Sequence, residues 1–230
     1  MQRTIRTPIE FSGVGLHSGL PVKGRMLPAP QDTGVEFVRT DLPDASPIPA
    51  RISHRSAMDR RTRLEKGAAR VDTVEHLLSV CYGLGLDNLR VELNGQEVPG
   101  LDGSALSFVN LIQQAGLVDQ RAEVKVLRLT RPIYVREGPV TLVALPTEAT
   151  GLSLEYFASF DEPGVESGSM SIDITPESFI KEIAPARTFC LASEVPRLQA
   201  AGFGKGATRD NTLVLGDPAT KMRLSAEPVR

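Results

Sequence analysis

The chain reads as an α+β protein of two related domains that meet near residues 117–123, the first over residues 1–120 and the second over 121–230. Three observations lead there. Each half opens with runs of strand character and only later mixes helices among them. The strand signal is period-two alternation, as in Val35-Glu36-Phe37-Val38-Arg39 and Leu89-Arg90-Val91-Glu92-Leu93. The helix signal is an apolar stripe at 3.6-residue spacing, as in Val74, Leu77, Leu78 and Cys81. A chain of 230 residues accommodates one large domain or two small ones. No internal sequence repeat is visible.

Residues up to about 40 are expected to be strands, with Pro28-Ala29-Pro30 and Asp32-Thr33-Gly34 as turns between them. Gly13 to Gly19 is a glycine-rich connection that carries His17. Residues 43–49 read as a proline-rich surface segment. Residues 51–70 are polar, with Met58 and Leu64 as isolated apolar points. A helix follows, with Asp72 or Thr73 as its cap and Gly83 or Gly85 as its end. With Asp72 as cap, Glu75 falls at the third helical position and completes a capping box. Residues 88–94 alternate as a strand. Leu101-Asp102-Gly103-Ser104 turns into a helix whose apolar positions are Ala105, Phe108, Val109, Leu111 and Ile112, stopped by Gly116. Asp102 and Ser104 read as turn and cap residues.

The second run of strands is expected to start at Glu123-Val124-Lys125-Val126 and to continue at 133–136, 140–145 and 152–156. Helices near 176–183 and 193–201 and a strand at 212–215 complete the chain. Phe179, Ile180 and Ile183 form a stripe suited to a core.

Composition narrows the function classes. Lys and Arg total 26 and Asp and Glu 28, a net charge of −2. That balance gives no pull toward nucleic acid or an anionic membrane, and no basic face interleaved with aromatics is present. Arg60, Arg61, Arg63 and Lys66 form the one basic cluster, either a solvated loop or a contact for a phosphorylated ligand. Two cysteines make no disulfide framework, and Cys81 lies on the apolar stripe. The first residues hold no secretory apolar run, and no apolar stretch is long enough to span a bilayer. A cytoplasmic, reduced protein without stable membrane insertion is expected.

The stretch with chemical content is Asp72-Thr73-Val74-Glu75-His76-Leu77-Leu78. His76 points roughly 160° from the apolar stripe, with Glu75 between them. An imidazole and a carboxylate side by side off the core face suit a metal ligand beside a general base. The alternative is a capping glutamate beside a surface histidine. The pair is not His-Glu-x-x-His, so it does not place two ligands on one helix face.

Wider context separates the two. Gly13-Val14-Gly15-Leu16-His17-Ser18-Gly19, Thr73-Val74-Glu75-His76-Leu77, Gly83-Leu84-Gly85-Leu86-Asp87-Asn88 and Leu101-Asp102-Gly103-Ser104-Ala105 occur in this order. Ala186-Arg187-Thr188-Phe189 and Asp210-Asn211-Thr212-Leu213-Val214-Leu215 follow. The ordered set closely resembles the UDP-3-O-acyl-N-acetylglucosamine deacetylase family, zinc amidases of lipid A biosynthesis. The resemblance implies two domains, each a helix layer on a sheet, with small inserted subdomains bordering a cleft between them. It implies Zn2+ as cofactor, His76 as a ligand, Glu75 as general base and Thr188 as a support for the oxyanion. Phe189 would line the sugar site. Leu16 and His17 would contact substrate at the rim. Val195, Leu198 and Phe203 match the apolar wall of an acyl-chain tunnel; packing of a small helix is their other reading.

The implied substrate is a small molecule, an acylated UDP-N-acetylglucosamine, and the implied state is a monomer that binds no nucleic acid. The chain departs from the pattern at Asp59-Arg60-Arg61, which is more basic than the family's first insert. In the family, two further ligands, a histidine and an aspartate four residues apart, follow a stretch resembling residues 224–230, and a general-acid histidine lies further on. None of these occurs up to Arg230, so the chain is expected to be carboxy-terminally incomplete and inactive as it stands. A non-catalytic sugar-nucleotide-binding module is the alternative.

Overall fold

The alternating runs of the first half become one sheet with a helical layer. The computed structural model describes residues 1–43 and 46–217. The chain begins with β1 (Arg3–Ile5), β2 (Ile9–Val14), β3 (Pro21–Pro28), β4 (Val35–Arg39) and β5 (Ile48–Pro49). Next come β6 (Arg55–Ser56), β7 (Arg63–Lys66), β8 (Ala69–Asp72), α1 (Glu75–Leu84), β9 (Leu89–Leu93), α2 (Leu106–Ala115) and β10 (Leu117–Asp119). Five strands pair in the order β2-β3-β9-β4-β5. β9 is antiparallel to β3 and parallel to β4.

The alternation of β9 explains its position. Leu89, Val91 and Leu93 are fully buried, while Arg90 and Glu92 face outward and pair with Glu36 and Arg25. Leu77, Val80, Cys81 and Leu84 of α1 and Phe108, Val109, Ile112 and Ala115 of α2 share one core with Phe11, Met26, Phe37 and Ile48. Each large apolar side chain so buried contributes roughly 1.5–3 kcal/mol, against about 0–1 kcal/mol for an exposed ion pair. The core therefore holds the sheet, and the outer charges keep its other face in water.

One expectation changes here: Ile48, within the supposed surface segment, is fully buried as β5 pairs with β4. Of the two glycines expected to end α1, Gly85 is the cap, in the left-handed conformation at φ 62°. β6, β7 and β8 form a separate three-stranded sheet from the polar stretch. Leu64 and Val71 tie it to the core.

In the second half, residues 123–126 form no strand, in contrast to their alternation. The strands are β11 (Ile133–Glu137), β12 (Val140–Ala144), β13 (Ser153–Ala158) and β14 (Gly168–Asp173). β11–β12 and β13–β14 are antiparallel pairs, and Tyr134, Val135, Leu142, Val143, Tyr156 and Phe157 on them are exposed. α3 (Pro176–Ser178), opened by a Thr175–Ser178 capping box, runs into a π-helical turn over Phe179–Ile183. β15 (Phe189–Leu191), α4 (Val195–Ala200) and β16 (Leu213–Leu215) follow, with β15 parallel to β16.

Phe179 joins the two halves. It is buried against Gly83 of α1, where an added Cβ would lie 2.3 Å from its ring. Among the described residues no helix is long and apolar enough to cross a membrane. Residues 224–230, the stretch read as leading to further ligands, lie outside the described residues.

Candidate functional site

The first turn of α1 is built differently from the expected capping box. Val74 is the cap residue in helical conformation, with no side-chain cap bond, and Glu75 is the first helical residue. The expected capping groups have other partners. The Asp72 carboxylate accepts from Arg63 at 2.6 and 2.8 Å and from Gln96 at 3.0 Å, and Arg61 lies 3.5 Å away. Burial pushes this carboxyl up. The bonds from Arg63 and Gln96 and the two guanidinium charges outweigh that and hold it below the usual carboxylate range. Thr73 stands at φ 58°, a conformation that β-branched residues rarely adopt. Its hydroxyl donates to Glu97 at 3.1 Å. Glu75 accepts from the backbone N–H of Thr62 at 3.0 Å.

His76 sits beside Glu75 on this turn, half-buried and off the core face. Burial lowers its pKa, and the carboxylates of Glu75 and Asp102 pull only partly the other way. The neutral imidazole, the metal-binding form, is thus favoured.

Asp102 belongs to the turn before α2. It accepts from Ser104 N at 3.2 Å, Ser104 Oγ at 2.9 Å and Ser107 Oγ at 2.8 Å, and Ser104 Oγ accepts from Leu106 N. Both residues belong to the turn as expected, but the cap position of α2 falls to Ala105, which has no side-chain cap bond. Burial raises the Asp102 pKa, but the serine bonds bring it below its ordinary value. The next residue, Gly103, has φ 82° and a Cβ there would lie 1.8 Å from the Asn211 carbonyl oxygen. Its own carbonyl accepts from Thr188 N at 2.8 Å, and Thr188 O accepts from Leu213 N at 3.0 Å. The Thr188 backbone is thus held on both sides beside the turn that carries Asp102. Its hydroxyl makes no hydrogen bond among the described residues. Phe189 is half-buried, edge-on to Phe160 at 5.5 Å between ring centres.

The glycine-rich loop forms the rim. Leu16 is buried, and its carbonyl accepts from Gly206 N at 3.0 Å. His17 lies edge-on to Phe203 at 5.4 Å, and the Arg61 guanidinium lies 5.4 Å from the centre of the same ring. Burial first, and then Arg61, lower the His17 pKa. Asp59, Arg60, Arg197, Leu198, Ala201 and Phe203 line an adjoining cavity of 290 Å3. Leu198 and Phe203 both line this cavity, whereas Val195, half-buried on α4, does not. The basic cluster is neither a free loop nor a free anion site. Arg61 and Arg63 pair with Asp72, Arg60 with Glu194, and Lys66 donates to the Pro47 carbonyl.

His76 suits zinc as one neutral nitrogen donor. A catalytic zinc takes about three protein ligands, and among the described residues no group of three His, Cys, Asp or Glu is arranged to hold a metal. The described residues therefore do not make a complete zinc centre. Sequence reasoning missed Glu97 and the role of Asp72 as an arginine acceptor. Glu97 sits in a turn-rich stretch with no periodicity, and nothing local marks it.

The chain resembles known proteins over nearly its whole length. The family model for UDP-3-O-acyl N-acetylglycosamine deacetylase, LpxC, matches residues 2–230. A UDP-3-O-acyl-N-acetylglucosamine deacetylase of Anaeromyxobacter sp. (strain Fw109-5) is 42% identical over 216 residues, 94% of this chain and 70% of that protein. Proteins of the same name from Brucella melitensis biotype 2 (strain ATCC 23457) and Brucella ovis are 40% identical over 94% of this chain and 75% of theirs.

Proposed function

This chain belongs to the UDP-3-O-acyl N-acetylglycosamine deacetylase family, and from that premise we propose that it hydrolyses the N-acetyl group of UDP-3-O-acyl-N-acetylglucosamine in lipid A biosynthesis, releasing acetate. The observation that carries the reading is the first turn of α1: a carboxylate and an imidazole stand together there, next to the turn that holds Thr188.

In this reading Glu75 takes the proton of the attacking water, a contribution of typically 10²–10⁴-fold. The Thr188 hydroxyl, unbonded among the described residues, donates to the oxyanion as the carbonyl becomes tetrahedral. Phe189 borders the sugar, and Leu16 and His17 meet substrate at the rim. Leu198 and Phe203 face the acyl chain, and Val195 stands behind them. Zn2+, which would supply Lewis-acid chemistry at the carbonyl, belongs to the proposal with His76 as one donor; the described residues do not complete its ligand set. The same reading takes residues 1–120 and 121–230 as two domains with the site between them. Contacts of Gly103 with Thr188, Gly83 with Phe179 and His17 with Phe203 support it. A cytoplasmic monomer acting on a small molecule completes the proposal.

The test is incubation of the full-length, zinc-supplied protein with the acylated UDP-sugar, with acetate and free amine read by mass spectrometry. Release of both is expected. Tight binding of the nucleotide without release would favour the non-catalytic module instead.

A further inference from the structure

We infer that Glu97 is a positioning residue, a buried carboxylate that fixes the rim loop and the entry to α1 at once. Only the kinetic arm of its test rests on the deacetylase reading. Glu97 is 4% exposed and has no ion pair among the described residues. A buried carboxylate is costly unless donors surround it. Here His17 N donates at 2.9 Å, Ser18 N at 2.8 Å and Thr73 Oγ1 at 3.1 Å. The two successive backbone N–H groups form the concave anion seat that the peptide chain makes in such turns.

The surroundings are shaped for this carboxylate. A Cβ on Gly15 would lie 2.2 Å from Ser18 Oγ and 2.4 Å from Glu97 Oε2, so a side chain there would displace the loop serine and the carboxylate together. Asp72 N donates to Gln96 O at 2.8 Å and Val98 N to Asp72 O at 3.0 Å, so Glu97 is clamped beside the end of β8. On that side it holds Thr73 at φ 58°, two residues before Glu75. On the other side it orients the loop whose His17 ring meets Phe203. A single carboxylate thus ties the residue ahead of Glu75–His76 to the rim that faces Phe203.

The test uses two variants of the full-length protein. Glu97→Gln keeps the volume but presents an NH2 where an acceptor stood. Gly15→Ala pushes on Ser18 Oγ and on the same carboxylate from the loop side and leaves the core intact. The sequence holds three histidines, so their imidazole signals can be assigned by NMR. In both variants the His17–Phe203 ring cross-peaks should disappear and the His17 signals should move toward those of a free imidazole, while His54 stays unchanged. In active protein kcat/KM should fall roughly 10–100-fold, the scale of a reacting group displaced by about 1 Å.

Folded variants that retain the His17–Phe203 cross-peaks would overturn the inference. So would lost cross-peaks with unchanged kcat/KM. If Glu97→Gln fails to fold, Gly15→Ala decides by the same signals. An inactive parent protein would count against the deacetylase reading alone, since the NMR arm needs no turnover.

Discussion

Asp72→Asn should destabilise the protein by about 2–4 kcal/mol at pH 7. Asp72 is 3% exposed and accepts two hydrogen bonds from Arg63 and one from Gln96, with Arg61 at 3.5 Å. Hydrogen bonds to charged groups are worth roughly 1.5–3 kcal/mol each, and removing one partner of a buried pair costs about 3–5 kcal/mol. Asparagine keeps one acceptor. The Arg63 and Arg61 side chains retain 14% and 13% exposure, so water recovers part of the loss. The assay is urea unfolding of both proteins from pH 7 down to pH 2. The folded pKa of Asp72 is lowered, so its contribution is present in full above the unfolded value of about 3.9 and is lost as pH falls through the folded value. The gap between the two proteins should therefore close below about pH 4. A gap under about 0.5 kcal/mol at pH 7, or one that persists unchanged to pH 2, would refute the reasoning. Arg61 and Arg63 flank Thr62, whose N–H reaches Glu75, so turnover should fall as well.

Three further outcomes follow from the geometry. Gly83→Ala places a Cβ 2.3 Å from the Phe179 ring; overpacking of about 1–3 kcal/mol should exceed the helix-propensity gain of about 1 kcal/mol, and a raised melting temperature would show that Phe179 does not dock there. Cys81 is buried with its thiol pushed up to about 12 by burial, so alkylation followed by peptide mass spectrometry should label Cys190 first and Cys81 only on unfolding. Thr188→Val should lower kcat more than it raises KM, because its hydroxyl acts mainly in the transition state; a change confined to KM would make Thr188 a ground-state binding residue.

The first half was legible because its sheet buries one face. Leu89, Val91 and Leu93 alternate with charged residues for that reason, and the stripes of α1 and α2 face the same core. Residues 123–126 alternate equally well, yet pair with nothing as a strand. β14 escaped notice because Gly168, Ser169 and Ser171 dilute its apolar positions. The expected cap at Asp72 failed for a reason no local pattern carries: Arg63 lies nine residues away and reaches the carboxylate only because β7 pairs with β8. At the site, Glu75 and His76 were legible as neighbours on one turn, and the family resemblance supplied their roles. Glu97 was not legible, since its partners come from the rim loop and from Thr73, far apart in sequence. Ile48 looked like part of a polar proline-rich segment and is buried only because β4 lies beside it.

The central claim is that Glu75 and His76 divide the chemistry, one moving a proton and the other holding metal. Parallel metal analysis and acetate release on full-length Glu75→Gln and His76→Gln test it most directly. Turnover should fall by roughly 10²–10⁴-fold in Glu75→Gln with zinc content unchanged, whereas His76→Gln should lose zinc together with turnover. Equal zinc loss in both variants, or normal acetate release from Glu75→Gln, would contradict the account.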